Sequence, residues 1–93
     1  MLQVLIVGRR GMDLAGHVKN AGLKHDLDLE ISFASYIRDI DVTKAFDAVI
    51  CVDHLQADTL RIAEICPLIK VMKPDSSANH VENWVWDNLK LIN

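Results

Sequence analysis

The chain predicts an α/β fold: a three-layer sandwich in which a four-stranded parallel sheet, ordered 2-1-3-4, carries helices on both faces. Three observations lead there. Two short runs, Leu2–Val7 and Ala48–Val52, are almost wholly apolar and rich in β-branched residues, as strands covered on both faces are. Segments of helical spacing alternate with the strand-like runs, and that alternation implies parallel pairing through right-handed crossovers. A length of 93 residues with 51% hydrophobic content suits one domain, 1-93, with a single modest core.

Each element has its own signal. Leu2–Val7 ends at Gly8, and Gly8-Arg-Arg-Gly11 forms a turn. A helix follows from Met12 to Ala21, with Leu14, Ala15, Val18 and Ala21 on one arc and Gly22 placed as its left-handed C-terminal residue. From Leu27 to Phe33, Leu27, Leu29, Ile31 and Phe33 alternate with Asp28, Glu30 and Ser32, the period of a half-exposed strand at a sheet edge. Asp41 is placed to cap a short helical turn carrying Val42, Ala45 and Phe46. Ala48–Val52 is the central strand, and His54 to Cys66 is a helix ended by Pro67. Leu68–Met72 is the fourth strand. Asn79 and Glu82 then resemble a capping box opening a last helix to about Leu91.

Composition excludes several function classes. Ten basic residues against thirteen acidic give a formal charge of -3, which speaks against direct nucleic-acid binding, since phosphate-backbone affinity comes from a basic excess. The longest apolar runs, Val4–Val7 and Ala48–Val52, fall far short of the ~20 residues of a membrane span, so no membrane insertion is expected. Arg9 and Arg10 follow the first apolar run instead of preceding it, the wrong order for a signal peptide. Cys51 and Cys66 sit in apolar surroundings and read as buried thiols of a reducing cytoplasm. No C-x-x-C or zinc-spaced Cys/His set occurs, and His17, His25 and His80 make no ligand group, so neither metal nor cofactor is expected.

Ligands of parallel α/β sheets bind beyond the carboxyl ends of the strands. Three turns converge there: Gly8–Gly11, Asp53-His54 and Lys73–Ser77. The first opens into a helix N-terminus, which favours an anion. A dinucleotide fingerprint would need a third glycine where Leu14 stands.

Here the residues carry a resemblance. Gly11-Met12 after the first strand, Phe46-Asp-Ala-Val-Ile-Cys51, and Leu68–Met72 followed by a loop and an amphipathic helix are similar to the enzyme IIB components of the bacterial sugar phosphotransferase system, of the galactitol/ascorbate and lactose/cellobiose types. The resemblance spans nearly the whole chain and implies a cytoplasmic domain with a four-stranded parallel sheet. Family members end the first strand with a cysteine, whose thiolate at the helix mouth takes a phosphoryl group from a phosphohistidine. This chain has Gly8 at that position, and Asp13, Leu14 and Ala15 in place of hydroxyl-bearing residues. The resemblance therefore implies a non-phosphorylatable, regulatory copy. Its loop of Gly8, Arg9, Arg10, Gly11, Met12 and Asp13 would meet other phosphotransferase-system or regulatory proteins.

Other residues support alternatives. Arg9 and Arg10 suit an anion clamp, although two solvated side chains beside Asp13 are the plainer and preferred reading. His54 is the weak catalytic candidate for an active phosphocarrier with an unusual acceptor; Cys51, mid-strand and apolar, is a distant second. Asp53 with Lys73-Pro74 resembles a receiver domain, here a truncated pseudo-receiver without the acidic pair that binds magnesium. In the last helix Val81, Val85, Asn88 and Ile92 form one stripe and Trp86 points away from it. That makes Trp86 an interface candidate and the last helix a candidate surface for homo-oligomers; an equal alternative lays its ring flat over its own helix or a neighbouring loop.

Overall fold

The computed structural model describes residues 1–41, 43–52, 62–64, 66 and 68–90. Its strands are β1 (Leu2–Val7), β2 (Leu29–Ala34), β3 (Ala48–Val52) and β4 (Ile69–Met72), and its helices are α1 (Met12–Lys24) and α2 (Ala78–Leu89). The sheet order is β2-β1-β3-β4, and all three pairings are parallel. The expected α/β class, parallel sheet and strand order are those observed, and α1 and α2 both lie on one face of the sheet. Among the described residues no helix is long and apolar enough to cross a membrane.

The apolar composition of β1 and β3 dictates the layering. On one face Leu2, Val4, Ile6, Ile50 and Val52 pack against Leu14, Val18 and Ala21 of α1 and against Val81, Val85 and Leu89 of α2. The six helical residues are fully buried, and each large one contributes on the order of 1.5–3 kcal/mol. On the other face Leu5, Val7, Val49 and Cys51 lie beneath Ile40, Ile62 and Cys66, with Ile37 and Phe46 packed alongside. Ile37–Asp39 forms one turn of 3-10 helix, and Ile62 and Ala63 are helical. The rest of the helix expected from His54 to Cys66 lies outside the described residues, apart from Glu64 and Cys66, as do Pro67, Leu91 and Ile92.

Register between β1 and β3 is set at their starts. Gln3 N–H donates to Asp47 Oδ2 at 2.7 Å, and Asp47 N–H donates back to Gln3 O at 2.8 Å. This reciprocal pair sets Val4 opposite Ala48.

Several boundaries differ from expectation for identifiable reasons. Gly22 does not end α1. It is buried within the helix, and a Cβ there would meet Leu29 Cδ1 at 3.0 Å and Leu27 O at 3.1 Å, so its missing side chain allows close helix–strand packing. The left-handed position falls to Asp26, with φ of 55°, and Leu27 N–H closes the end by donating to Gly22 O at 2.8 Å. β2 begins two residues later than the alternation suggests, at Leu29. Asp41 caps a turn instead of a helix: its Oδ1 accepts from Thr43 N–H at 3.0 Å and Thr43 Oγ1–H at 2.6 Å. Those bonds hold its carboxyl below the usual range. Val42 lies outside the described residues. The last helix is capped by Ser77, not Asn79, with Ser77 Oγ accepting from His80 N–H at 3.2 Å.

Gly16 lies mid-helix with nothing near its missing Cβ. Gly16→Ala should therefore raise stability by about 0.5–1 kcal/mol, roughly 4–8 °C per kcal/mol in the thermal midpoint of a domain this size. Leu14→Ala, on the buried face of the same helix, should lower it by about 2–5 kcal/mol; thermal melts followed by circular dichroism check both.

Candidate functional site

The reversal of strand order falls between β1 and β3, and the turn leaving β1 sits at that crevice. Gly8 is its first residue. Gly8 N–H still belongs to the ladder, donating to Ala34 O at 2.8 Å. The chain then bends sharply, with φ of +135° at Gly8, and a Cβ there would stand 2.6 Å from Val52 O and 3.1 Å from Val52 Cβ. Both the dihedral and the approach to the end of β3 require glycine.

Three further N–H groups of the turn and helix start bond within it. Gly11 N–H donates to Gly8 O, Asp13 N–H to Arg10 O and Leu14 N–H to Gly11 O, each at 3.1 Å. Gly11 is buried, its Cβ position only 2.8 Å from Ile6 Cγ2, which seats the start of α1 on β1. Phosphate-binding turns direct several backbone N–H groups at the ligand; here those of Gly8, Gly11, Asp13 and Leu14 are aimed at carbonyls of the fold.

Charge at the rim is balanced locally. Arg10 Nε donates to Asp13 Oδ2 at 2.9 Å, and Arg10 Nη2 lies 2.8 Å from the same oxygen. Asp13 thus places a carboxylate in the first turn of α1, where the helix favours negative charge. Both side chains remain largely exposed, so the pair is a solvated feature of modest energy. Arg9 is exposed, and Met12 is 68% exposed, an apolar side chain standing on the rim.

The loop after β4 is also held by its own bonds: Ser76 N–H and Oγ–H both donate to Lys73 O, at 3.1 and 2.7 Å. The third turn at this end begins with Asp53 and His54, which lie outside the described residues. The six loop positions from Gly8 to Asp13 form one continuous rim.

The cysteines are positioned as packing residues. Cys51 and Cys66 are 0% and 1% exposed and lie in the same apolar cluster; neither forms a disulfide. Burial pushes the Cys66 thiol up from its ordinary value of 9.0, against a smaller opposing effect of its bond to Leu68 O, and the Asp47 carboxylate adds to the rise. A protonated, covered thiol is a poor nucleophile. Among the described residues no cluster of three or more His, Cys, Asp or Glu could hold a metal.

Trp86 does not project away from the packed structure. It is half-buried against the main core, and its ring stacks on His25, the C-cap of α1, with centroids 4.4 Å apart and planes 12° from parallel. Lys90 Nζ lies 5.7 Å from the same ring. The stack fastens the end of α1 to the last turn of α2, a contact that neither residue's sequence neighbourhood reveals.

Gly8→Ala should destabilise the domain by at least about 1–3 kcal/mol from backbone strain, read as a lowered urea midpoint. Cys66 ionises at higher pH folded than unfolded, so the unfolded chain releases its thiol proton first. Stability held by this group is intact below pH 9.0 and declines as pH rises through the folded value; urea midpoints across that range should show a slope that Cys66→Ala reduces. Compared with known proteins, the chain matches no family model, no curated protein and no solved structure.

Proposed function

We propose that the chain is a non-phosphorylatable, IIB-like module of the sugar phosphotransferase system, acting by protein contact and not by phosphoryl transfer. The observation that carries this reading is the backbone of Gly8. A phosphocysteine carrier needs a thiolate at the tip of β1, and this chain has there a residue with φ of +135° and no room for a Cβ. Any side chain at that position would drive against Val52 O, so the position is closed to every nucleophile and not merely to cysteine.

Two further features support it. The N–H groups of Gly8, Gly11, Asp13 and Leu14 are engaged within the fold, and Asp13 pairs with Arg10 while standing in the first turn of α1. A phosphoryl group brought to this rim would have to displace a resident carboxylate of the same sign. What the rim offers instead is a contact surface: exposed Arg9, the Arg10–Asp13 pair and the Met12 side chain. Such a mixture of charge and exposed apolar surface suits a protein partner. In this reading the partners are other phosphotransferase-system or regulatory proteins in the cytoplasm, and no cofactor is called for.

The test uses phosphoenolpyruvate with the general phosphotransferase proteins, followed by intact mass spectrometry. The protein should remain unmodified, while an active IIB domain in the same tube gains one phosphoryl group. Gly8→Cys should not restore transfer and should melt below the parent. A phosphoryl adduct on the parent chain would overturn the reading, and its location on His54 would favour the phosphocarrier alternative.

A further inference from the structure

Among the described residues strand β2 has one neighbour in the sheet and meets it with alternate residues. Leu2 N–H donates to Asp28 O and Gly8 N–H to Ala34 O, both at 2.8 Å, with Leu2 opposite Leu29 and Val7 opposite Ala34. The ladder therefore turns the backbone groups of even-numbered residues toward β1 and those of Leu29, Ile31 and Phe33 outward. The side chains of these three lie on the helix-covered face. Leu29 and Ile31 pack partly against the core, while Phe33 is 48% exposed. Alongside, α1 contributes Leu23, 74% exposed, and a groove of about 190 Å³ runs between Lys19, Leu23, Leu27, Leu29 and Ile31.

Open sheet edges are ordinarily protected by charged side chains, above all Lys, by Pro, by a bulge or by extreme shortness. β2 has no Lys, Pro or bulge: it is six residues of Leu-Glu-Ile-Ser-Phe-Ala in unbroken register, and its one charge, Glu30, accepts from Gln3 Nε2 of β1 at 3.1 Å.

We propose that β2 is the interface of a two-fold homodimer, in which it pairs antiparallel with β2 of a second copy. Three constraints select this occupant and its register. Outward backbone groups must meet outward groups, so odd-numbered residues face odd-numbered residues. Like charges directly opposite each other are destabilising, which excludes the register that sets Glu30 against Glu30. Centring the two-fold axis on Ile31 uses all the open groups of the strand: Leu29 faces Phe33, Ile31 faces its own counterpart, and Phe33 faces Leu29. The same register sets Glu30 against Ser32 and Asp28 against Ala34, so no carboxylate meets another.

Charge along the edge is also self-complementary. Asp26 and Asp28 precede the strand. Arg38 lies beyond its end, its guanidinium held 4.3 Å from the Tyr36 ring centroid, with Asp39 next in the chain. Antiparallel pairing brings the acidic start of each copy toward the arginine end of the other, as an isologous interface requires.

The test is sedimentation velocity over a concentration series, with amide exchange followed by NMR on the same samples. The protein should dimerise with concentration, and the amides of Leu29, Ile31 and Phe33 should be protected in the dimer and exchange rapidly on dilution. Phe33→Lys introduces an ammonium group at an already exposed position and should abolish the dimer while leaving the dilute-solution melt unchanged. Leu23→Glu, from the neighbouring helix, should weaken association in the same direction. A monomer at every concentration, a dimer that persists in Phe33→Lys, or a dimer whose three outward amides exchange freely would overturn the proposal.

Discussion

Two adjacent strands, β1 and β3, carry apolar side chains on both sides, and everything else in the molecule answers the need to cover them. A strand of this composition cannot face water on either side without a cost of roughly 25 cal/mol for each Å² of apolar surface left exposed. The two faces are covered differently. Two full helices lie on one; a 3-10 turn, Phe46 and the buried pair Ile62 and Cys66 lie on the other. Because α1 and α2 share a face, they must also pack on each other, and the His25–Trp86 stack belongs to that contact. The same pairing of β1 with β3 brings the carbonyl of Val52 so near the tip of β1 that only glycine fits there. Packing at the centre of the sheet thereby decides the chemistry available at its rim.

How much of this was legible in the sequence depends on the kind of signal each element carries. β1 and β3 were readable to the residue, because a continuous apolar run stops abruptly at Gly8 in one case and begins abruptly after Asp47 in the other. The edge strand was readable as a type but not to its first residue, since alternation continues through Leu27 into a helix end that happens to keep the same period. Gly22 shows a deeper ambiguity. Glycine serves both left-handed caps and close packing, and only the position of Leu29 against α1 reveals which one operates here. Asp26, a residue tolerant of the left-handed region, took the cap instead. Ser77 and Asn79 are both competent N-caps, and the choice between them depends on the path of the loop after β4.

The candidate site divides along the same line. That a glycine-flanked turn follows β1 and faces the crevice was evident from residue types alone, as was the lack of a thiol at position 8. That the N–H groups of Gly8, Gly11, Asp13 and Leu14 are engaged, and that Arg10 closes on Asp13 rather than extending outward, depends on three-dimensional geometry which no spacing rule encodes. The alternation in Leu-Glu-Ile-Ser-Phe-Ala did mark an edge. Which of its backbone groups look outward became definable only once the register with β1 was known.

The sheet's two borders are unlike. β4 is four residues long and includes Lys70, and Lys73-Pro74 follow it directly, all features that discourage a further strand from joining there. A molecule with one bare border and one blunted border can share its sheet with a single neighbour and then has nothing left to extend. Edge pairing is thereby self-limiting: it terminates in a closed unit rather than propagating into a fibril.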